Sequence, residues 1–141
     1  MSAKTRKVVQ AIQSCLRPDL LKPEYRRQLP HVPRERRQQY GHCAVATEAA
    51  LHLLGPGYEP YVLCLSKLVP GASSRPVCEG GKTHRYLIHR ETGEIVDPTV
   101  GQFARPPRYE KGRRQPLMTR GHLTERGREV VACARRKLGR R

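Results

Sequence analysis

Cys43, His84 and Asp97 are residues of the types that nucleophilic catalysis by a thiol needs, and they stand in this order along the chain. A cysteine nucleophile needs a base within hydrogen-bond reach, often a histidine, and a third polar group that orients the base. The three types therefore predict acyl hydrolysis or transfer through a thioester on the sulfur. Because five cysteines and six histidines offer many such triples, the predicted elements must show whether these three meet.

Cys43 opens a run of alanines and leucines that predicts a helix ending at Gly55. At a helix start, unpaired backbone N–H groups and the positive end of the helix dipole stabilise a thiolate. The same N–H groups can hold the oxyanion that forms when sulfur attacks a carbonyl. The alternative interpretation is that Cys43 is a small core residue, which is the commoner role of a single cysteine.

A β-hairpin is predicted for residues 83–99, where two strand-like runs flank a turn that contains Gly93. With the turn centred just before that glycine, Asp97 lies opposite Tyr86. Strand alternation then places Asp97 on the same face as His84, one diagonal neighbour away. A shift of one residue in the register would separate the two side chains.

The remaining segments complete an α+β fold. In chain order they predict an amphipathic helix at residues 3–16, an irregular connection at 29–39, a buried strand at 61–66, a flap at 69–82, an extended loop at 110–121 and a helix at 124–138. We expect the helix that bears Cys43 to pack on a small antiparallel sheet, between the N- and C-terminal helices. At 141 residues the chain is expected to form a single domain, 1–141.

Basic residues concentrate in two arms of a chain whose net charge is +16. Residues 1–40 carry 10 Lys and Arg against 3 Asp and Glu, and residues 101–141 carry 13 against 3. The middle, residues 41–100, carries 5 against 6. Such arms attract polyanions such as nucleic acid or the ribosome. The alternative is that these charges only solvate exposed helix faces.

The five cysteines are odd in number, widely spread and without a C-x-x-C pair. This pattern predicts free thiols in a reducing compartment, with neither a disulfide framework nor a structural zinc site. No apolar run approaches the roughly 20 residues that span a bilayer, and the first residues lack the apolar region of a signal peptide. We therefore expect a cytoplasmic protein that needs no membrane, cofactor or metal.

The residues around the three candidates resemble a known family. They comprise Gly41-His42-Cys43, Thr83-His84, Asp97-Pro98-Thr99 and Gln102-Phe103. This series resembles small uncharacterised bacteriophage proteins related to the YunG family, in which a Gly-[His/Gln]-Cys helix start precedes His-Trp, Asp-[Leu/Pro]-Thr and Gln-Phe. A cysteine helix followed by histidine and polar strand residues also resembles the papain-like, NlpC-like arrangement. The resemblance covers about residues 18–113, and it departs at Arg85, where the family usually has an aromatic.

The resemblance implies a papain-like fold and catalytic roles for Cys43, His84 and Asp97. The resemblance gives no substrate. From the chemistry of the cysteine we expect a hydrolase or transferase that acts on a peptide, amide or thioester bond of an unknown acyl substrate or host protein, in the host cytoplasm if a phage encodes it. The alternative is a catalytically idle papain-like module that binds nucleic acid or an anionic host complex through its basic arms.

Three further residues are candidates for substrate binding: His42, Thr47 and Gln102. His42 adjoins the candidate nucleophile and could help to bind an oxyanion, although a supporting or exposed histidine is the commoner case. Thr47 follows Cys43 by about one turn of the predicted helix, and Gln102 comes shortly after the predicted hairpin.

Overall fold

A computed structural model describes residues 1–65, 83–117 and 122–139. Within these ranges the helices are α1 (Ala3–Ser14), α2 (Pro23–Gln28), α3 (Cys43–Leu54) and α4 (Glu125–Lys137). The strands are β1 (Tyr58–Cys64), β2 (Thr83–His89), β3 (Ile95–Val96) and β4 (Arg113–Arg114). They form one antiparallel sheet in the order β3-β2-β1-β4, which confirms the α+β prediction. No helix in these ranges is long and apolar enough to cross a membrane.

The N- and C-terminal helices begin where hydroxyl side chains cap them. The Ser2 hydroxyl accepts a hydrogen bond from Thr5 N at 3.1 Å, and the Thr124 hydroxyl accepts one from Gly127 N at 3.0 Å. Each helix then buries one apolar stripe against α3. The stripes comprise Val8, Val9 and Ile12 on α1, and Val130, Val131 and Ala134 on α4. The two predicted helices are confirmed to within two residues at each end.

Helix α3 lies at the centre of the core and packs against α1, α4, β1 and β2. Its alanines at 46, 49 and 50 are fully buried, and their small side chains let neighbouring helices approach closely. The helix ends at Gly55, whose φ of +88° is a conformation that glycine adopts without strain. The predicted start and end of this helix are both confirmed.

The sheet positions the hairpin in the predicted register. Strand β2 pairs with β1 along seven residues and with β3 through Leu87 opposite Val96. If the same pairing is continued by one residue, Asp97 lies opposite Tyr86, as predicted. The predicted strand at 61–66 starts earlier, at Tyr58.

The loop predicted for residues 110–121 contains a short strand that the sequence did not reveal. Arg113 and Arg114 form β4 on the edge of the sheet, opposite Val62 and Tyr61. A two-residue strand is too short to leave an alternating pattern, so its pairing depends on the neighbouring strand. The predicted flap at 69–82 lies outside the described residues.

The prediction of free thiols is wrong. Cys15, at the end of α1, and Cys133, on α4, form a disulfide that joins positions 118 residues apart. Cys64 is also disulfide-bonded, so Cys43 is the free cysteine of the described ranges. Sequence spacing failed here because the packing of α1 beside α4 brings distant positions together. Disulfides persist in oxidising compartments, so the cysteine pattern no longer supports the cytoplasmic prediction.

Candidate active site

Cys43 is the first residue of α3, and the chain reaches it through a tight turn at Gly41. That glycine has a φ of +78°, and a Cβ there would lie 2.9 Å from Leu21 Cδ2. No side chain caps α3 at His42, so the N–H groups of the first turn are left for a ligand. The Cys43 side chain is partly exposed, and its sulfur lies 3.8 Å from the Thr83 carbonyl oxygen. The thiol is therefore accessible beside a set of backbone donors.

His84, on β2, and Asp97, just after β3, form the centre of the site. The distance from His84 Nε2 to Asp97 Oδ2 is 2.7 Å, and the two side chains are only 1% and 3% exposed. Thr99 N donates to Asp97 Oδ1 at 3.2 Å, and the Tyr109 hydroxyl donates to Oδ2 at 2.7 Å. Because Asp97 occupies Nε2, the other ring nitrogen, Nδ1, is the one left for a further partner.

The electrostatics of the cluster favour a charged His84. Burial lowers the pKa of this histidine, but the hydrogen bonds and charges of Asp97 and Cys43 outweigh burial and raise the pKa to about 9. A protonated His84 is therefore favoured between two partners, with the Asp97 carboxylate at Nε2 and Cys43 as its other hydrogen-bonding neighbour.

Aromatic rings enclose the histidine. The edge of Phe103 meets the His84 ring at a centroid distance of 4.7 Å, and Tyr86 lies nearly parallel to that ring at 6.2 Å. The Tyr86 hydroxyl donates to the Tyr109 carbonyl at 2.9 Å. A Cβ at Gly112 would lie 1.7 Å from the same hydroxyl, so only glycine fits there. These contacts hold the segment after the hairpin over the His84–Asp97 pair.

Sequence reasoning missed the residues that hold Asp97. The bond from Thr99 N to Asp97 Oδ1 is an Asx turn, which an Asp-Pro-Thr sequence favours and which could have been predicted. Tyr109 follows a stretch rich in proline and arginine that has no periodicity. No local pattern could therefore indicate that its hydroxyl reaches Asp97.

Two predicted substrate-binding residues lie in the interior. His42 is 2% exposed, burial lowers its pKa to about 4, and its Nδ1 has no hydrogen-bond partner among the described residues. Thr47 is fully buried, and its hydroxyl donates to the Arg85 carbonyl at 3.0 Å, tying α3 to β2. These positions favour packing roles for both side chains over contact with a substrate.

Gln102, the third predicted substrate-binding residue, reaches the site. Its Nε2 lies 3.4 Å from His84 Nδ1 and 2.9 Å from the Thr99 hydroxyl oxygen, and its Oε1 lies 3.5 Å from Gly41 N. The amide therefore links the histidine to the turn that precedes Cys43. The structure brings together Cys43, His84, Asp97 and Gln102.

Comparisons with protein-family models, curated proteins and solved structures found no match to this chain. In the described ranges, no three or more His, Cys, Asp and Glu side chains form a group that could hold a metal ion.

Proposed function

We propose that this protein is a cysteine-dependent acyl hydrolase or transferase with a papain-like, NlpC-like arrangement of Cys43, His84 and Asp97. The observation that carries the proposal is the buried 2.7 Å bond between His84 and Asp97. It leaves the second ring nitrogen of His84 for a free, partly exposed cysteine at a helix N-terminus. A nucleophile, a base and an orienting group are the parts that acyl transfer through sulfur requires.

The first half of the reaction forms a thioester. The Cys43 thiolate attacks the carbonyl carbon of the substrate, a C–S bond forms, and the carbonyl π electrons move to oxygen. Uncapped N–H groups in the first turn of α3 stabilise that oxyanion. When the carbonyl reforms, the bond to the leaving group breaks, and His84 gives that group its Nδ1 proton.

The second half releases the acyl group. Water, or another acceptor nucleophile, attacks the thioester carbon while His84 takes its proton. The C–S bond breaks, the acyl product leaves, and the thiolate of Cys43 and the imidazolium of His84 are restored. Throughout, Asp97 keeps the ring in one orientation and stabilises its positive charge.

An activated ester such as p-nitrophenyl acetate tests the proposal without knowledge of the natural substrate. We expect a rapid burst of nitrophenol and an acetyl adduct that peptide mass spectrometry locates on Cys43. Cys43→Ala should abolish both, whereas His52→Ala, at an exposed histidine on the same helix, should leave both unchanged. A burst that survives in folded Cys43→Ala protein would contradict the proposed function.

A second candidate function is the binding of nucleic acid or another polyanion through the basic arms. The observation that favours it is the outer face of α4, where four cationic side chains are exposed. They are Arg128, Arg135, Arg136 and Lys137. Affinity for a duplex oligonucleotide should fall steeply with salt and survive Cys43→Ala. An enzyme recruited by its arms would show both this binding and turnover that depends on Cys43.

A further inference from the structure

A cavity of about 420 Å³ is lined in part by Phe103, whose ring also contacts the ring of His84. Among the described residues, its lining combines Phe103, Leu65 and two prolines with the cationic side chains of Arg105, Arg108 and Lys111. None of the described residues that line the cavity carries a carboxylate. The cavity therefore offers an apolar wall and a concentration of positive charge, which together suit a ligand that has a carbon skeleton and an anionic group.

The three cations have no charged partner among the described residues. In the described part of the chain, none of them forms an ion pair or a side-chain hydrogen bond. By contrast, Arg17 pairs with Asp19, and Arg114 pairs with Glu59. Like charges held close together repel one another, and an anion in the cavity would relieve that repulsion. Guanidinium groups bind carboxylate and phosphate through two parallel hydrogen bonds, so both arginines suit these anions.

The same segment also contacts the candidate catalytic residues. Phe103, which forms one wall of the cavity, packs its edge against the His84 ring at 4.7 Å. Tyr109, between Arg108 and Lys111 in sequence, donates to Asp97 Oδ2 at 2.7 Å. The cavity is therefore separated from the catalytic histidine by a single aromatic side chain.

We propose that this cavity binds an anionic group, carboxylate or phosphate, on the acyl substrate that Cys43 attacks. The proposal rests on the proposed acyl-transfer function and gives its substrate class. Arg105 and Arg108 would bind the anion, Lys111 would add charge, and Phe103 would contact the carbon skeleton beside it.

Paired acyl donors that differ in one charge test this subsite. The probes are aryl thioesters of two N-acetylated dipeptides, Glu-Gly and its neutral counterpart Gln-Gly, with phosphoserine-Gly and Ser-Gly as a second pair. The readout is the rate at which Cys43 becomes acylated, followed by intact-protein mass spectrometry. We expect the anionic member of at least one pair to react about tenfold faster or more, as for a site that recognises a specific polar group. The pair of donors that shows the preference indicates whether the cavity binds carboxylate or phosphate.

Charge-matched variants separate a local site from the general positive charge of the protein. Arg105→Gln/Arg108→Gln should abolish most of the preference, and Lys111→Gln should reduce it. Arg27→Gln/Arg34→Gln removes the same charge from exposed residues outside the cavity and should leave the preference intact. The substituted side chains are exposed, so circular dichroism should show an unchanged fold in every variant.

The outcomes also distinguish this proposal from the function on which it rests. If Cys43 is acylated by no donor, neutral or anionic, then the acyl-transfer function itself fails. If neutral and anionic donors acylate Cys43 equally fast, or if both double variants weaken the preference equally, then the anionic subsite is wrong and the proposed function stands. Loss of oligonucleotide affinity in Arg105→Gln/Arg108→Gln without any donor preference would also overturn the subsite, because the cavity would then serve nucleic acid.

Discussion

His84 Nε2 lies 2.7 Å from Asp97 Oδ2, and both side chains are almost completely shielded from water. A buried carboxylate is costly unless its oxygens are hydrogen-bonded, and Asp97 receives bonds on both of them. The pair is thereby held in one orientation.

Asp97→Asn tests the orienting role of the carboxylate. The amide fits the same space and can still accept a hydrogen bond from His84, but it cannot balance the charge of an imidazolium. We expect turnover of p-nitrophenyl acetate to fall by about two to four orders of magnitude while the fold remains. If Asp97 only stabilises the turn at Pro98, the same change should cost at most about 1 kcal/mol of stability and leave turnover unaltered.

The pKa of His84 predicts an alkaline limit to activity. This residue must be protonated to serve the leaving group, and its pKa is raised to about 9, so turnover should fall as pH rises through about 9. The pKa of His84 in the folded protein exceeds its ordinary value of 6.5, so protonation of His84 stabilises the fold. This stabilisation is fully present below about pH 6.5 and is lost as the pH rises through about 9. NMR titration of the ring protons measures the pKa directly. In Asp97→Asn the titration midpoint of His84 should move to lower pH, because the ring remains buried while the negative charge of Asp97 is lost.

Tyr109→Phe tests the donor that sequence reasoning missed. Burial and the Asp97 carboxylate raise the pKa of Tyr109 well above its ordinary value of 10, so the hydroxyl stays a donor. Removal of the hydroxyl should lower the free energy of unfolding, measured with denaturant, by about 1–3 kcal/mol, as for other hydrogen bonds to charged groups. The carboxylate then binds the imidazolium more strongly, so the His84 midpoint should rise, opposite to the shift in Asp97→Asn. A midpoint that stays in place would show that Tyr109 does not act on the pair.

Much of the site could be predicted because its geometry is local. Cys43 was placed at a helix start by its flanking sequence, and the hairpin register followed from Gly93 and strand alternation. His42 and Thr47 were adjacent to the site in sequence, yet both point into the core. Adjacency along the chain does not fix which face of the fold a side chain takes, and only the packing of α3 settles it.

The features that sequence did not predict depend on contacts between distant segments. Tyr109 reaches Asp97 because Gly112 leaves room for the Tyr86 hydroxyl, a fit that no local pattern encodes. The Cys15–Cys133 disulfide likewise requires α1 and α4 to be neighbours. An odd number of cysteines without close pairs was therefore a poor guide to their oxidation state.

Removal of that disulfide should reduce stability without affecting the site. Cys15→Ala/Cys133→Ala releases a link across 118 residues, and the added freedom of the unfolded chain should cost about 3–5 kcal/mol. Urea unfolding of the variant and of wild-type protein, both without reductant, measures the difference. The rate of Cys43 alkylation under native conditions should be the same in both. Equal free energies of unfolding for the variant and the wild-type protein would contradict the Cys15–Cys133 disulfide.

The rate at which iodoacetamide alkylates Cys43 at pH 6, in protein kept free of reductant, tests the central claim most directly. If His84 and Asp97 hold the cysteine as a thiolate, Cys43 should react at least about tenfold faster than glutathione at this pH. His84→Ala should abolish the advantage, whereas His89→Ala, a substitution on the same strand, should preserve it. Reaction no faster than glutathione, or a rate unchanged by His84→Ala, would contradict an activated nucleophile at Cys43.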